Sequence, residues 1–536
     1  MFCFSNSRSL LLIALVLSLI SLESAQAQSI TAADDGTGTT VSQNDNQYDI
    51  TGGSLSGDGD NLFHSFEQFG LTAAEVANII ADPTIQNILG RVTGGDASII
   101  DGLLRVSGSD ANLFLINPAG VLFGPNASLD LTGSFTAATA TGIGFEDTWL
   151  NAFGPNDYAA LVGNPVSFAF AVDQPGAILN DGDLAVSPSQ TLTLVGGAVI
   201  NTGTLTAPGG QITVASVSGQ SLVRISHENM VLNLELATLA QSSLSLPPSF
   251  TPLDLPSLLT AGNHTHATDI TVNPDGTVSL TGSGLAIALE PGTTLVSGTL
   301  DAGCRDVACN VSTASGGTIQ VLGDQVGLLA ATVDASGTNG GGTVLVGGDY
   351  QGQGSIPNAS HTYVGSDSVI DASALGTGDG GRIVVWADET TQFYGEIIAR
   401  AGIEAGNGGF VEVSGLQALD FHGQVDTSAF NGNVGTLLLD PIDITVVDSE
   451  GNTTSTILLF EDPPEDAFIS ASAINTANAN VILQATNDIT FDAPVNISSL
   501  GVGLTAEAGN TITVNESITT QGGDITLISS NGSITT

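Results

Sequence analysis

The 536-residue sequence predicts an all-β solenoid, and three observations lead to this prediction. The chain has 67 glycines and few aromatic residues, a composition typical of short β-branched strands separated by tight turns. A unit of two glycines followed by an alternating strand recurs along the chain. Its spacing of roughly 25 residues is that of one coil per repeat. Because a single coil cannot bury its own apolar face, we expect stacked coils with Val, Ile and Leu inward and Thr, Asn and Asp outward.

The repeats are not strictly periodic. The glycine unit reads GGQITV from Gly209, GGTIQV from Gly316, GGTVLV from Gly341, GGRIVV from Gly380, GGFVEV from Gly408 and GGDITL from Gly522. A second phrase lies between these units and reads VDASGTNGGG from Val333, IDASALGTGDGG from Ile370 and VDTSAFNGN from Val425. With rungs about 4.8 Å apart, the coils predict one rod on the order of 100 Å long.

The N-terminus has the pattern of a Sec signal peptide, residues 1–27. Arg8 precedes an apolar run at 10–20, and Ala25 and Ala27 occupy the positions expected before a cleavage site at Gln28. The run is shorter than the roughly 20 residues that span a bilayer. We therefore expect export by the Sec machinery. The alternative is a cytoplasmic protein with an apolar N-terminus.

The charge balance limits the possible partners. The chain has no lysine, seven arginines and 54 acidic residues, giving a formal net charge of −47. Nucleic acid and anionic lipid are therefore poor partners. Since 42% of the residues are hydrophobic, the chain is not a solvated acidic tail.

Of the three cysteines, Cys3 lies in the predicted signal peptide. The other two, Cys304 and Cys309, are close enough in sequence to form one local disulfide in an exported protein. Two free thiols are the alternative, because the turn must also reach disulfide geometry. We expect no metal site and no cofactor.

Three segments depart from the repeat. Residues 246–266 begin with LPPSFTPLDLPSLL and predict an excursion or a junction, and FEDPPEDAF from Phe460 predicts a surface loop. TAAEVANIIAD from Thr72 predicts a short helix, with Thr72 as N-cap and Glu75 completing a capping box. The chain stops within a repeat, which predicts a truncated C-terminus or a covered strand edge.

Several long phrases resemble the filamentous haemagglutinin N-terminal domain, the secretion domain of two-partner secretion exoproteins. They are NLFHSFEQFGL from Asn61, NILGRVTGGDASIIDGLLRVSGSDANLFLINPAGVLFGPNASLDL from Asn87 and TGSFTAATA from Thr132. The phrases GGTVLVGGDYQGQG, GGRIVVWADETTQFYGEIIARAG and GNGGFVEVSG resemble the repeats that follow this domain, most closely in cyanobacterial members.

The resemblance implies a right-handed parallel β-helix with short extra-helical strands and loops. It assigns residues 28–245 to the secretion (haemagglutination activity) domain and 267–536 to the β-helical repeat region. It also implies a dedicated outer-membrane β-barrel transporter with POTRA domains as the partner. The product would be extracellular, either released or at the cell surface.

In this family a conserved Asn-Pro-Asn-Gly turn is associated with secretion. The matching residues here are Asn117, Pro118, Ala119 and Gly120, so the third position lacks its amide. The resemblance makes this turn the secretion motif. The alternative from the residues alone is an ordinary turn between two rungs.

The resemblance implies a non-enzymatic surface adhesin for an unknown surface, carbohydrate or protein receptor. The alternatives are a β-helical polysaccharide lyase or hydrolase, and the stalk of a larger secreted effector. A lyase would use a basic residue beside carboxylates and a hydrolase clustered carboxylates. The chain has no lysine, and Arg382 and Arg400 lie near repeated Gly-rich phrases, like framework residues. An acidic cluster beside an arginine on one face of the rod would favour the enzyme.

Overall fold

A computed structural model describes residues 29–228, 231–238, 269–272, 278–281, 285–287, 290–305, 309, 314–448 and 468–536. Three predictions fall outside these ranges, wholly or for the most part. They are the cleavage site at Ala25, Ala27 and Gln28, the excursion or junction at 246–266, and the surface loop that ends at Phe468. Within the described residues, the chain passes repeatedly through three long sheets, and neighbouring coils pair in parallel. The protein is a parallel β-helix, as predicted.

Most strands belong to one of the three long sheets. Sheet 1 contains Thr31–Ala32, Ser54–Leu55, Asn61–Gln68, Asn87–Val92, Asn112–Ile116, Phe135–Ala138, Thr191–Gly196, Gln211–Ser216, Thr318–Leu322, Thr343–Val346, Arg382–Ala387, Phe410–Gly415, Thr436–Leu439, Asn480–Ala485, Leu504–Ala508 and Ile525–Ser529. Sheet 2 contains Ser98–Ile100, Val121–Phe123, Ala177–Asn180, Ala198–Asn201, Thr293–Val296, Gln325–Leu328, His361–Val364, Thr390–Phe393, Ala418–Phe421, Ile444–Val447, Phe468–Ser470, Ile489–Phe491, Ile512–Val514 and Ile534–Thr535. Sheet 3 contains Thr39–Asn44, Gln47–Gly52, Val76–Ile80, Leu103–Ser107, Ser128–Asp130, Asp183–Ala185, Thr204–Thr206, Thr299–Asp301, Thr332–Asp334, Val369–Asp371, Glu396–Ile398 and Gln424–Asp426.

Shorter sheets lie outside this pattern. An antiparallel sheet, called the outer sheet below, contains Gly142–Phe145, Thr148–Asn151, Ser167–Phe170, Ser221–Glu228 and Val231–Thr238. Two further groups are Asp269–Val272, Val278–Thr281 and Leu285–Ile287, and the parallel pair Val495–Leu500 and Ile518–Gln521.

The paired glycines mark the entry to sheet 1, where successive rungs approach each other closely. A Cβ on Gly342, Gly381 or Gly409 would lie 2.1–2.2 Å from the carbonyl oxygen of the equivalent glycine one rung earlier. Such a contact is far inside van der Waals distance, so only a residue without a side chain fits there. The repeat therefore records a backbone contact and not a ligand site.

The aspartates of the second phrase turn the chain out of sheet 3. The Oδ1 atom of Asp334 accepts the backbone N–H of Ser336 at 2.8 Å, and Asp371 accepts that of Ser373 at the same distance. This is the Asx turn, in which a short carboxylate replaces a backbone acceptor two residues earlier. The repeated Asp-x-Ser is thus turn chemistry.

Much of sheet 1 is buried on both faces, which differs from the prediction of a polar outer surface; its last strands, from Asn480–Ala485 onward, keep the predicted alternation or are exposed. Leu89, Val195 and Val384 point away from the helix interior yet are fully buried. The outer sheet covers the N-terminal part of this face, and the loop 347–360, called the strap below, covers residues near Trp386. Strands buried on both sides carry nearly continuous apolar residues, so alternation is lost there.

The helix predicted from Thr72 is wrong. Val76–Ile80 is a strand of sheet 3 that pairs in parallel with Gln47–Gly52 and Leu103–Ser107. Thr72 N–H does donate to the Glu75 carboxylate at 2.7 Å, but this contact closes a turn. Pairing on both sides outweighs the weak local helix propensity.

Helical structure in the described ranges consists of Ala471–Thr476 and the 3₁₀ turns Tyr158–Ala160 and Tyr350–Gly352. None of the helices in these ranges is long and apolar enough to cross a membrane. Fifteen of the sixteen strands of sheet 1 follow one another along the rod, and Ser54–Leu55 pairs at the side. At the usual strand spacing, fifteen strands correspond to a rod of roughly 70 Å. The rod is shorter than expected because the excursions use many residues.

Candidate functional site

The turn at 117–120 joins sheet 1 to sheet 2, and Asn117 holds it together. Its side-chain amide donates to the Asp96 carbonyl at 2.9 Å and to Ser98 Oγ at 3.0 Å, both in the preceding rung. Its Oδ1 atom accepts the backbone N–H of Ala119 at 3.0 Å. The N–H of Gly120 donates to the Asn117 carbonyl at 3.0 Å, which closes the turn.

The turn is buried between the rungs on either side of it. Asn117 and Ala119 are 1% and 2% exposed, and Pro118 and Gly120 are also buried. Gly120 has φ of +124°, a conformation that L side chains rarely adopt. On the other side, a Cβ on Gly176 would lie 2.6 Å from the Pro118 carbonyl oxygen. The folded domain therefore does not present this turn, or position 119, to a partner at its surface.

A row of asparagines links three successive rungs at the start of sheet 1. Asn112 Nδ2 donates to Asn87 Oδ1 at 3.0 Å, and Asn87 Nδ2 donates to Asn61 Oδ1 at 2.9 Å. Asn61 Nδ2 then donates to the carbonyls of Leu161 and Gly163 at 3.0 and 2.8 Å. The row thus connects the rungs to the segment that packs beside the outer sheet.

Arg91 joins the N-terminal strands to the outer sheet. It is 2% exposed, and its Nη2 atom forms an ion pair with Asp35 at 2.6 Å. Nε donates to Ser65 Oγ at 3.0 Å, and Nη1 donates to the carbonyls of Asn151 and Gly154 at 2.7 and 2.8 Å. A buried guanidinium is tolerated only with its charge and donors satisfied.

Asp35 is the anionic half of this arrangement. Burial alone would raise the pKa of Asp35, but hydrogen bonds from Ser65, Thr37 and Arg91 lower it to about 2. The carboxylate therefore stays ionised over the physiological range. Sequence reasoning missed this pair; the signal was an arginine inside an apolar strand in a chain with seven basic residues.

His64 lies in the same strand, Asn61–Gln68, and is 1% exposed. Its Nδ1 atom is 3.3 Å from Thr39 Oγ1, and its Nε2 atom has no hydrogen-bond partner. Burial lowers the pKa of His64 to about 4. The imidazole is therefore neutral and packed.

The structure joins Cys304 and Cys309, whose Cα atoms are 5.8 Å apart, within the range that a disulfide requires. Both are buried, against Ala314 and near Gly209. Whether the bond forms in the exported protein stays a proposal.

One acidic cluster with a nearby arginine does exist, which is the arrangement that would favour an enzyme. Glu412 lies on the outer face of sheet 1, is fully buried under the strap, and accepts the backbone N–H of Gln351 at 3.0 and 3.2 Å. Burial raises the pKa of Glu412 to about 7. The hydrogen bond from the Gln351 N–H lowers this pKa in part, and the negative charge of Asp440 raises it further. Arg382 is engaged in an ion pair with Asp349 on the strap.

These contacts give the cluster a structural role. The strap closes over Glu412, and Gln351 of the strap donates from its side-chain Nε2 atom to Asp440 Oδ2 at 2.9 Å. A hydrolase needs its carboxylates open to a sugar, and Glu412 has no exposed surface. Arg400 pairs with Asp426 at 2.7 Å, consistent with a framework position. Within the described residues, no three His, Cys, Asp or Glu side chains are grouped as metal ligands would be.

Comparison with known proteins places the N-terminal part of the chain. Residues 27–243 match the family model of the TPS secretion domain. Among solved structures, the HMW1 secretion domain from Haemophilus influenzae is 23% identical, with 75% of this chain and 99% of that chain covered and a TM-score of 0.40. A filamentous hemagglutinin secretion domain is 14% identical, with 77% and 100% covered and a TM-score of 0.33. No curated protein sequence matches the chain.

Proposed function

We propose that this protein is a surface adhesin. Residues 27–243 carry a TPS secretion domain, so the chain is a two-partner secreted exoprotein of filamentous haemagglutinin type. Its partner in secretion is an outer-membrane transporter. We further propose that this transporter has POTRA domains, that Sec carries the precursor with cleavage between Ala27 and Gln28, and that the product acts at the cell surface or beyond.

The match of residues 27–243 carries the proposal, and the fold suits the route. Contacts between adjacent rungs are local; for example, Asn112 bonds Asn87 only 25 residues earlier. Such a chain can begin to fold at its emerged end and continue rung by rung, without an external energy source. A long stack of rungs with exposed loops is also suited to holding a binding surface away from the cell.

We propose that the turn at 117–120 serves secretion through folding. It is buried, so a transporter would contact it only before the rungs close around it. Asn117→Ala removes three side-chain hydrogen bonds and leaves two buried partners, the Ser98 hydroxyl and the Ala119 N–H, unsatisfied, at a cost of about 1–3 kcal/mol.

The test is secretion of the full chain with and without the candidate transporter, for wild type and for Asn117→Ala/Gly120→Val. We expect the wild type in the medium only with the transporter, and the double variant retained in the periplasm. Export that ignores both the transporter and the substitutions would refute the proposal and favour an otherwise exported β-helix.

Asn201→Ala is the matched control. Asn201 is also fully buried, accepts from Asn180 at 2.7 Å and donates to the Gly203 carbonyl at 3.1 Å. If the turn at 117–120 has a specific role, Asn201→Ala will be secreted far better than Asn117→Ala at equal loss of stability. Equal retention of both variants would mean that stability alone decides export.

A further inference from the structure

Three large apolar side chains are exposed in the corresponding loops of three successive rungs. Leu375, Ile403 and Phe430, called the apolar ridge below, are 41%, 70% and 85% exposed. Each lies in the loop that leads from sheet 3 back to sheet 1, shortly after the strands Val369–Asp371, Glu396–Ile398 and Gln424–Asp426. Single exposed apolar residues are ordinary, whereas several on adjoining loops of one face are typical of an interaction site.

Hydrogen bonds between the loops hold the ridge in place. Leu375 N–H donates to the Gly337 carbonyl at 2.8 Å, and Glu404 N–H donates to the Gly376 carbonyl at 3.0 Å. Asn431 Nδ2 donates to the carbonyls of Ile403 and Glu404 at 3.3 and 3.2 Å. Because the loops are already ordered, a partner would lose little free energy in ordering them on binding.

The charge beside the ridge is negative. Glu404 and Asp379 are exposed on the same loops, and Asp379 accepts the N–H and the side-chain amide of Asn407. The nearest arginine in these loops, Arg400, is paired with Asp426 at 2.7 Å. An apolar strip with acidic flanks complements a segment that has an apolar face and basic residues beside it.

The same charges argue against a second copy as the occupant. With 54 acidic and seven basic residues, two chains would bring like charges together along the ridge. We propose that the apolar ridge of Leu375, Ile403 and Phe430 is a docking surface for a cationic amphipathic segment of a partner protein. This surface lies outside residues 27–243 and does not depend on the route of export.

The probe is a synthetic helical peptide with leucines on one face and lysines on the other, titrated into the mature full chain at about 0.15 M salt. The comparison variants are Ile403→Ser/Phe430→Ser on the ridge and Leu416→Ser elsewhere. Leu416 is 45% exposed and lies in a turn between sheets 1 and 2, so it matches the change in surface chemistry. All of these positions are exposed, so we expect unchanged thermal midpoints.

We expect the ridge variant to weaken peptide binding at least tenfold and Leu416→Ser to leave it unchanged. Glu404→Gln/Asp379→Asn should weaken it several-fold and reduce its salt dependence. A second peptide, with serines in place of the leucines, should bind at least tenfold more weakly than the first.

Three results would overturn the proposal. Binding that is indifferent to the ridge substitutions would mean a general attraction of cations to an acidic rod. Equal binding of a peptide with glutamates in place of lysines would remove the charge argument. Concentration-dependent dimerisation of the chain that Ile403→Ser/Phe430→Ser abolishes would make a second copy the occupant.

Discussion

Acidification should open the N-terminal rungs, because His64 is buried as a neutral ring. The unfolded chain takes up a proton below the ordinary histidine pKa of 6.5, whereas the folded protein resists protonation down to about 4. Stability is therefore full above pH 6.5 and is lost as pH falls toward 4. With these two pKa values, linkage gives a loss of about 2 kcal/mol between pH 8 and pH 5, and about 3 kcal/mol by pH 4.

The assay is hydrogen exchange of the backbone amides of Asn61–Gln68 at pH 8 and pH 5, corrected for intrinsic exchange rates and converted to opening free energies. His64→Leu should remove the dependence, and His422→Leu, in the repeat region, should leave it intact. Asp35 titrates below this window in both states, since its folded pKa is about 2. Parallel pH dependences for wild type and His64→Leu would refute the reasoning.

Two further predictions concern the repeat region. Glu412 should give the opposite dependence of stability on pH, because its pKa is about 7 in the folded protein and 4.5 in the unfolded chain. Stability near the strap should fall by about 2–3 kcal/mol from pH 5 to pH 8, and Glu412→Gln should abolish this loss, as monitored by the fluorescence of Trp386 beneath the strap. The same pH dependence in Glu412→Gln would show that another group causes it. Gly409→Ala should lower the free energy of unfolding in urea by about 3 kcal/mol or more, since its Cβ would lie 2.2 Å from the Gly381 carbonyl oxygen. Gly365→Ala is the control and should be tolerated, because the nearest atom to its Cβ would be 3.4 Å away. Similar losses of stability for both variants would show that the rungs can separate.

The repeat architecture was predictable because its causes are local. Paired glycines at 316, 341, 380 and 408 report a close approach between rungs, and the aspartates at 334, 371 and 426 report turns. Both follow from one rung meeting the next, so the residue types recur wherever the geometry does.

The excursions were less predictable because their contacts span large sequence distances. Arg91 reaches Asp35 and Gly154, 56 and 63 residues away, and no periodicity records such partners. The local pattern at Val76–Ile80 predicts a helix wrongly for the same reason: the strand depends on pairing with the rungs before and after it. The burial of the turn at 117–120 likewise depends on Gly176, far along the chain.

This difference in contact distance implies an order of folding. In the repeat region, Asn407 bonds Asp379 and Asn433 bonds Asn407 across 28 and 26 residues, so the pairing of a new rung needs only the one before it. The strap is an exception, because Gln351 bonds Glu412 and Asp440, 61 and 89 residues later. The N-terminal part instead needs Asn61 to find the Leu161 carbonyl 100 residues later. Closing such a loop costs more entropy before any contact is gained. The secretion domain should therefore close only after residues up to about Gly163 have emerged, and each later rung should then add at little cost on the completed template.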